Sequence, residues 1–295
     1  MFERKKRTGV MLCYPFEEKR LTKWNYPVIV QPKLDGVRCR AVWNGHSFVL
    51  VSSTEEILTS VPHVNRALAS FLVDAQTGQP MRTEWDGELY RHGDTFEEIY
   101  SITARTANLH PSHENVEFHI FDYPETPDVQ WERSVVLNEL KTALDRTPCL
   151  RIVPSYVANS FDELMGHYDT ILAQHYEGII VRNWHNVYER KRSTMMMKFK
   201  PRKSDLYRIV DSVEELDKNG HPKNSLGALV CESDGERFNV GSGFTARHRQ
   251  LLWEARAALP GMFVLVNYQH ITPGRGVPRF PIFARLVDRL EDADA

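Results

Sequence analysis

Val28-Ile29-Val30-Gln31-Pro32-Lys33-Leu34-Asp35-Gly36-Val37-Arg38 is the stretch whose reading decides the fold. Three β-branched residues run into a proline, a lysine and an Asp-Gly pair. The pattern predicts a strand that ends in a sharp turn. Such a turn holds Lys33 at the lip of a cleft with an acid, Asp35, and a cation, Arg38, close by. A protonated lysine is a poor nucleophile; neighbouring cations or desolvation lower its pKa and free the lone pair. A surface hairpin with ordinary charges has the same local sequence, so the reading needs support from the rest of the chain.

The chain has 295 residues, enough for one large domain or two ordinary ones. At 42% hydrophobic, 26% charged and 11% aromatic, its composition is that of a soluble globular protein. No apolar run reaches the 18 residues of a membrane span. The N-terminus is charged and lacks a following apolar segment, so no signal peptide and an intracellular location are expected. Cys13, Cys39, Cys149 and Cys231 are scattered without the paired spacing of a zinc site, and read as buried thiols in a reducing compartment. A net charge of -2 does not announce a nucleic-acid binder, but Arg190–Lys203 holds seven Lys/Arg and no Asp/Glu. A basic face in a near-neutral protein binds polyanions, whereas an ordinary charge run is merely solvated.

Working outward from the opening stretch, residues 1–27 read as a polar lead-in with one short helix. Arg40–Val42 and Phe48–Val51 flank Asn44-Gly45, a hairpin signal. Residues 62–73 carry Val64, Leu68, Phe71 and Leu72 at helical spacing. Strands are expected at Thr83–Tyr90, Val116–Tyr123, Ile152–Val157 and Glu177–Arg182. Helices are expected at Thr95–Ala104, 131–145 and from Ser160 or Asp162 to His175. Beyond residues 203–205 the texture changes to five short strands, Gly-rich turns and one helix, Ala246–Ala258, which suggests a small β-barrel. Two domains follow, 1–203 and 204–295, of α+β class with antiparallel sheets in the first.

Four features of the first domain recur at strands or strand ends: the Lys33 turn, Asp86-Gly87-Glu88, Glu177-Gly178 and Lys198-Phe199-Lys200. One lysine, several carboxylates and a pair of cations are what nucleotidyl transfer needs. The lysine attacks an α-phosphate, while Lys198 and Lys200 offset charge on the phosphoryl oxygens. Glu88 and Glu177 suit Mg²⁺, which takes a few carboxylates plus substrate phosphates. Phe121 can stack on a base, although a strand aromatic more often packs in a core. Lys198 and Lys200 are two apart and share one strand face.

In order, Gln31-Pro-Lys33-Leu-Asp35-Gly-Val-Arg38, Trp85-Asp86-Gly-Glu88-Leu89, Phe118-His-Ile-Phe121-Asp-Tyr123, Tyr176-Glu177-Gly-Ile-Ile-Val181 and Met197-Lys198-Phe-Lys200-Pro201 resemble motifs I, III, IIIa, IV and V of the ATP-dependent DNA ligases. That family lies within a group that also holds RNA ligases and mRNA-capping enzymes. Tyr188 and Lys191-Arg192-Ser193 resemble the connection between motifs IV and V. Ser225–Val230 and Phe238–Phe244 resemble the family's OB-fold, and Arg279-Phe280-Pro281 with Arg285 resembles motif VI. The resemblance covers nearly the whole chain from Gln31.

It implies a minimal two-domain enzyme: an adenylation domain followed by an OB-fold barrel, using ATP and Mg²⁺ or another divalent cation. Lys33 is implied to be the adenylylated nucleophile. Arg38 and Glu88 are implied to contact the ribose, Phe121 the adenine and Gln31 its border. Glu177 and Glu88 are implied to serve the metal, with Asp35 and Asp86 as supporting acids, and Lys198 and Lys200 to bind the α-phosphate. The implied partner is nicked double-stranded DNA, bound by a monomer. Where the family has Ser-Arg, whose arginine contacts the nick 5′-phosphate, this chain has Ser52-Ser53-Thr54. Arg40 or a basic residue of 190–203 (Arg192 and Lys203 among them) is the substitute the sequence offers, with Arg182 a further DNA-facing candidate. The residues after Arg285, Val287 to Leu290, match motif VI imperfectly. Residues 214–225 read as too short for a DNA-encircling loop. An RNA ligase, a capping-type guanylyltransferase and a catalytically silent nucleic-acid-binding protein are the rival readings.

Overall fold

A computed structural model of the protein describes residues 8–124, 127–200, 203–268, 270–272 and 275–287. In chain order the strands are β1 (Leu12–Pro15), β2 (Val28–Lys33), β3 (Val37–Trp43), β4 (Phe48–Ser52), β5 (Ile57–Leu58), β6 (Glu84–Tyr90), β7 (Glu117–Asp122), β8 (Leu150–Ile152), β9 (Tyr156–Ala158), β10 (Gly178–Asn183) and β11 (Arg192–Phe199). They continue with β12 (Lys203–Leu216), β13 (Pro222–Ser233), β14 (Glu236–Val240), β15 (Phe263–Tyr268), β16 (His270–Ile271), β17 (Pro278–Arg279) and β18 (Ile282–Val287). The helices are α1 (Glu18–Leu21), α2 (Pro62–Leu72), α3 (Phe96–Thr103), α4 (Gln130–Leu144), α5 (Phe161–Ala173) and α6 (Ala246–Glu254). Among the described residues no helix is long and apolar enough to cross a membrane.

The chain divides into two compact units: residues up to Tyr168 with His175–Phe199, and Asp169–Gln174 with the residues from Lys200 onward. The first unit holds two sheets, ordered β1-β11-β10-β2-β9 and β5-β4-β3-β6-β7-β8. Both arise from strands whose two faces differ. In β6, Trp85 and Leu89 point one way and Glu84, Asp86 and Glu88 the other, because side chains alternate along a strand. The apolar face packs under α2 and α4, where Leu50, Leu68, Trp85, Phe118 and Leu137 are at most 1% exposed. Burial of one such side chain contributes about 1.5–3 kcal/mol. On the five-stranded sheet, Phe199 stacks with Phe16 and with Tyr168 at ring separations of 4.6 and 4.2 Å. The polar faces are tied together: Arg182 on β10 reaches Asp122 on β7, and Gln31 on β2 donates to the Phe121 carbonyl.

Two expectations change, and a third segment gains a shape. Residues 152–157 are not one strand: β8 and β9 belong to different sheets, and Pro154, which cannot donate to a ladder, sits in the break. Residues 1–27 are more than a lead-in, since β1 pairs in parallel with β11 and so completes the Lys198 sheet edge. Residues 214–225 form the far half of a long hairpin, β12 and β13, closed by a turn at Asp217–His221.

The second unit carries a five-stranded sheet, β14-β13-β12-β15-β18, with α6 packed on β13, over Ile209, Leu229, Val240 and Val266, each fully buried. Among the described residues the barrel expected here is not a continuously closed ladder. Its edges, β14 and β18, meet through one parallel bridge between Ser242 and Ile282, with the Phe283 N–H donating to the Ser242 carbonyl at 2.9 Å. β14 has only five residues before the chain turns at Gly243, which has φ +88°. A Cβ there would lie 2.6 Å from the Ile282 side chain and the Phe283 carbonyl. Glycine therefore permits the contact, and the short strand limits it.

Candidate active site

Lys33 is the last residue of β2, and β3 begins at Val37. The turn between them works because Gly36 sits against β6: a Cβ there would lie 2.3 Å from the Leu89 carbonyl oxygen. Any larger residue would lift the turn off β6. The register across the sheet then decides which side chains share a face. Ile180 on β10 is opposite Gln31 on one side and Lys198 on the other, and Gly178 is opposite Lys33. Gln31, Lys33 and Lys198 therefore project to the same face. Lys200 follows the end of β11 and is half-buried.

Lys33 Nζ donates to the Glu177 carboxylate and, at 3.5 Å, to the Leu34 carbonyl. Both partners of the ion pair keep limited access to solvent, at 19% and 18% exposure of the side chain. The neighbouring acid-rich strand supplies the second wall. Arg38 is held bidentately by Asp86, through Nε at 2.7 Å and Nη2 at 2.6 Å. Burial lowers the Arg38 pKa, but the Asp86 charge and hydrogen bonds outweigh it, and the guanidinium titrates above its ordinary range. The Arg38 guanidinium carbon lies 4.4 Å from the centroid of the Phe121 ring, so Phe121 already has a cation on it. Glu88 is directly opposite Arg38 in the ladder and half-buried. Asp35 is exposed in the turn.

Two residues with parts in this arrangement were not assigned to it from the sequence. Tyr188 donates its hydroxyl to Asp86 at 2.5 Å and accepts from the Met11 N–H at 2.9 Å. Burial, and then the Asp86 charge, push its phenol well above the ordinary value. Arg133 on α4 donates to Asp122 at 2.6 Å and is fully buried. The tyrosine was visible beside the basic run; the arginine gave no signal, since a lone arginine on a helix usually faces solvent.

Two cations expected to face DNA are buried and held by carboxylates. Arg182 is 3% exposed and is held by Asp122, Gln31 and Gln130. Its burial lowers its pKa against the pull of Asp122. Arg40 is 7% exposed and is shared between Glu84 and Glu55. Both were read as surface cations because burial on the polar face of a strand pair leaves no trace in composition. Arg192 is exposed and donates to the Cys13 carbonyl, with its guanidinium carbon 5.6 Å from the Tyr14 ring; Lys203 is exposed at the start of β12. In the second unit, Arg285 is exposed on β18 and Arg279 lies over Phe280 at 4.4 Å. Pro201 and residues 288–290 lie outside the described residues. Gln31 uses its amide on Ser155, the Phe121 carbonyl and Arg182.

Beside the Lys33 turn lies a cleft of about 590 Å³. Arg38 and Glu88 line it at one place, the Ser52–Thr54 turn at another, and Phe96, Tyr100 and Arg105 at a third. Ser52 is committed to that turn: its Oγ accepts the N–H groups of Thr54 and Glu56 at 3.2 and 3.1 Å. Among the described residues no group of three or more His, Cys, Asp and Glu side chains is arranged to hold a metal ion. Mg²⁺ needs no such group, because one or two carboxylates suffice when a nucleotide supplies phosphate oxygens. Glu177 and Glu88 are hard oxygen donors on the two walls and fit that requirement.

The family model for the ATP dependent DNA ligase domain matches residues 10–200. The chain belongs to the ATP-dependent DNA ligase family. A second model, the DNA ligase OB-like domain, matches residues 219–286, so the chain carries an adenylation domain followed by an OB-fold domain. Among relatives, the DNA ligase of Haemophilus influenzae is 26% identical over 280 residues, covering 94% of this chain and 92% of the relative. The DNA ligase of an African swine fever virus isolate from a South African tick is 27% identical over 274 residues, with 85% of this chain and 61% of the viral protein covered. Among solved structures, the Chlorella virus DNA ligase-adenylate superposes with a TM-score of 0.67 at 22% identity, over 96% of this chain and 99% of that one. The bacteriophage T7 ATP-dependent DNA ligase in complex with ATP superposes at 0.63 and 18% identity, over 94% and 98% of the two chains. These ligase neighbours share the fold. Family membership makes the chain an enzyme of the DNA ligase class that uses ATP and acts on DNA.

Proposed function

We propose that the chain seals nicks in duplex DNA that carry a 5′-phosphate and a 3′-hydroxyl, through a lysyl-AMP intermediate. The observation that carries this reading is the Lys33–Glu177 ion pair, placed on the sheet face that Lys198 shares. Glu177 takes up the proton that Lys33 must lose before its lone pair can attack. The nitrogen of Lys33 bonds to the α-phosphorus of ATP, the bond to the β-phosphate oxygen breaks, and pyrophosphate leaves. An oxygen of the nick 5′-phosphate next attacks the same phosphorus. The phosphorus–nitrogen bond breaks, the amine regains a proton, and AMP is carried on the DNA end. The 3′-hydroxyl then attacks the 5′-phosphate, gives up its proton, and AMP departs.

Each remaining residue has a part in this scheme. Arg38 and Glu88 hold the ribose, with Asp86 and Tyr188 fixing Arg38. Phe121 packs on adenine and Gln31 borders it by holding the Phe121 carbonyl. Lys198 and Lys200 meet the α-phosphate oxygens as charge develops. Asp35, exposed in the turn beside Lys33, is a supporting acid. Glu177 and Glu88 would hold Mg²⁺, which supplies charge neutralisation on the phosphates when bound. Arg192 and Lys203 meet the DNA backbone, and Arg279 and Arg285 serve the pyrophosphate in the first step. The work divides between an adenylation domain, 1–203, and an OB-fold domain, 204–295, the enzyme acts as a monomer, and four unpaired thiols suit an intracellular, reducing compartment.

The test is a labelling and sealing assay. ATP tagged on its α-phosphate should label the wild type and not Lys33→Ala, with a loss on the order of 10⁴-fold or more in adenylylation. Persistent label on the variant would remove Lys33 from the role. Sealing of RNA nicks in preference to DNA, or use of GTP in place of ATP, would favour the RNA ligase or capping reading.

A further inference from the structure

The cleft beside the Lys33 turn contains two cations, and they differ in what holds them. Arg38 is engaged by both oxygens of Asp86. Arg105, just past the end of α3, gives only its Nε to the Ser101 carbonyl, at 3.3 Å. Its terminal nitrogens have no partner among the described residues, and the residue is exposed. An arginine fork held by its Nε and open at its end is shaped for two oxygens of a phosphate.

The wall next to it is aromatic. Phe96 and Tyr100, four apart on α3, stack with centroids 5.7 Å apart and planes at 17°. They nevertheless stay 38% and 53% exposed. An exposed aromatic pair beside an uncommitted guanidinium is the equipment of a nucleic-acid groove, where rings pack on sugars and bases and the cation takes the backbone. Ser53, which stands where an arginine was expected, lines the same cleft. Arg40, the substitute nearest in sequence, is taken by Glu55 and Glu84.

The cleft also shares Arg38 and Glu88 with the nucleotide site proposed above. An acceptor phosphate must approach lysyl-AMP from a space that opens on that site. We propose that Arg105 binds the terminal 5′-phosphate of the DNA strand that accepts AMP, while Phe96 and Tyr100 pack against the sugar and base beside it. Arg105 thus positions the attacking oxygen, and it does so from α3 rather than from the Ser52–Thr54 turn. This rests on the ligase reading of the site. The other terminal phosphate with access to such a cleft is the tail of ATP, and the two sources are separable by step.

Full-length wild type, Arg105→Ala, Arg105→Lys and Tyr100→Ala are compared in two assays. The first follows labelling by α-tagged ATP. The second adds preformed enzyme-adenylate to nicked duplexes with a 5′-phosphate or a 5′-hydroxyl, and reads binding and single-turnover AMP transfer. Arg105→Ala should be labelled within about twofold of wild type. It should lose about ten- to a hundredfold in affinity for the phosphorylated nick and no longer distinguish it from the hydroxyl form. Arg105→Lys should recover part of the preference, and Tyr100→Ala should weaken both duplexes alike. A wild-type preference for the 5′-phosphate in Arg105→Ala would overturn the proposal. So would a loss confined to labelling, which would give Arg105 to the ATP tail. Absence of label on the wild type would instead sink the ligase reading, and this assignment with it.

Discussion

Two ion-pair clusters stand on the polar seam of the first unit and behave as opposites. Lys33 and Glu177 form an ion pair whose side chains keep about a fifth of their surface open. Asp122, Arg133 and Arg182 form a cluster at 0–4% exposure. The buried cluster has many further partners: Arg133 also donates to the carbonyls of Asp128 and Asn186 and to Gln130, and Arg182 to Gln31. Such a network joins β7, β10 and α4 and has one arrangement. The Lys33 pair has water within reach and can exchange partners with phosphate or metal. Residue type does not separate the two roles; burial does.

The comparison breaks most visibly at Asp122. Asp122→Ala leaves two buried guanidiniums facing each other without a carboxylate. Removal of one partner from a buried network costs about 3–5 kcal/mol. The urea midpoint should fall accordingly, while Lys33→Ala, at a half-open pair, should stay within about 1 kcal/mol of wild type. Equal stability losses in the two variants would mean that both clusters are structural.

Much of the active cluster was legible in the sequence because its strands obey a period of two. Glu84, Asp86 and Glu88 alternate with Trp85 and Leu89, and Gln31 with Lys33, so the faces could be assigned without coordinates. The buried cluster was not legible. Its partners are 11 and 60 residues apart, and its formation depends on the register between β10 and β2 and on the seating of α4. Arg182 closes an Ile-Ile-Val run in β10, and nothing in that run tells an inward arginine from one facing DNA. In the second unit the strands and the helix were placed from the sequence, while the extent of barrel closure depends on how far β14 runs before Gly243. Arg105 had no local signal, because its cleft exists only once α3 is set beside the Ser52–Thr54 turn.

Glu177 sharpens the contrast from the other side. Glu177→Gln keeps an acceptor for Lys33 Nζ but removes the charge and the capacity to take a proton. Adenylylation should drop by about 10²-fold or more, with stability within about 1 kcal/mol of wild type. Quenched-flow labelling with tagged ATP reads the first and urea denaturation the second. Unchanged labelling would mean that another group, or solvent, takes the Lys33 proton.

Glu84 lies between the two extremes. It is 7% exposed and accepts from Arg40 at 2.9 Å and from Arg190 at 2.8 and 2.6 Å. Burial raises its pKa, but the hydrogen bonds from Arg190 and Arg40 and their charges prevail, so the carboxyl titrates below its ordinary value of 4.5. A carboxylate with a depressed folded pKa stabilises the protein above its unfolded pKa and loses that contribution as pH falls through the folded one. The stability of the wild type should therefore decline below about pH 4.5 in part through this group. Glu84→Gln should lower stability near neutrality by about 1–3 kcal/mol and flatten the acid limb of the profile, as followed by urea midpoints from pH 7 downward. An acid limb as steep in the variant as in the wild type would place the titration on other carboxylates and make Glu84 a packing residue, joined in character to the Asp122 cluster.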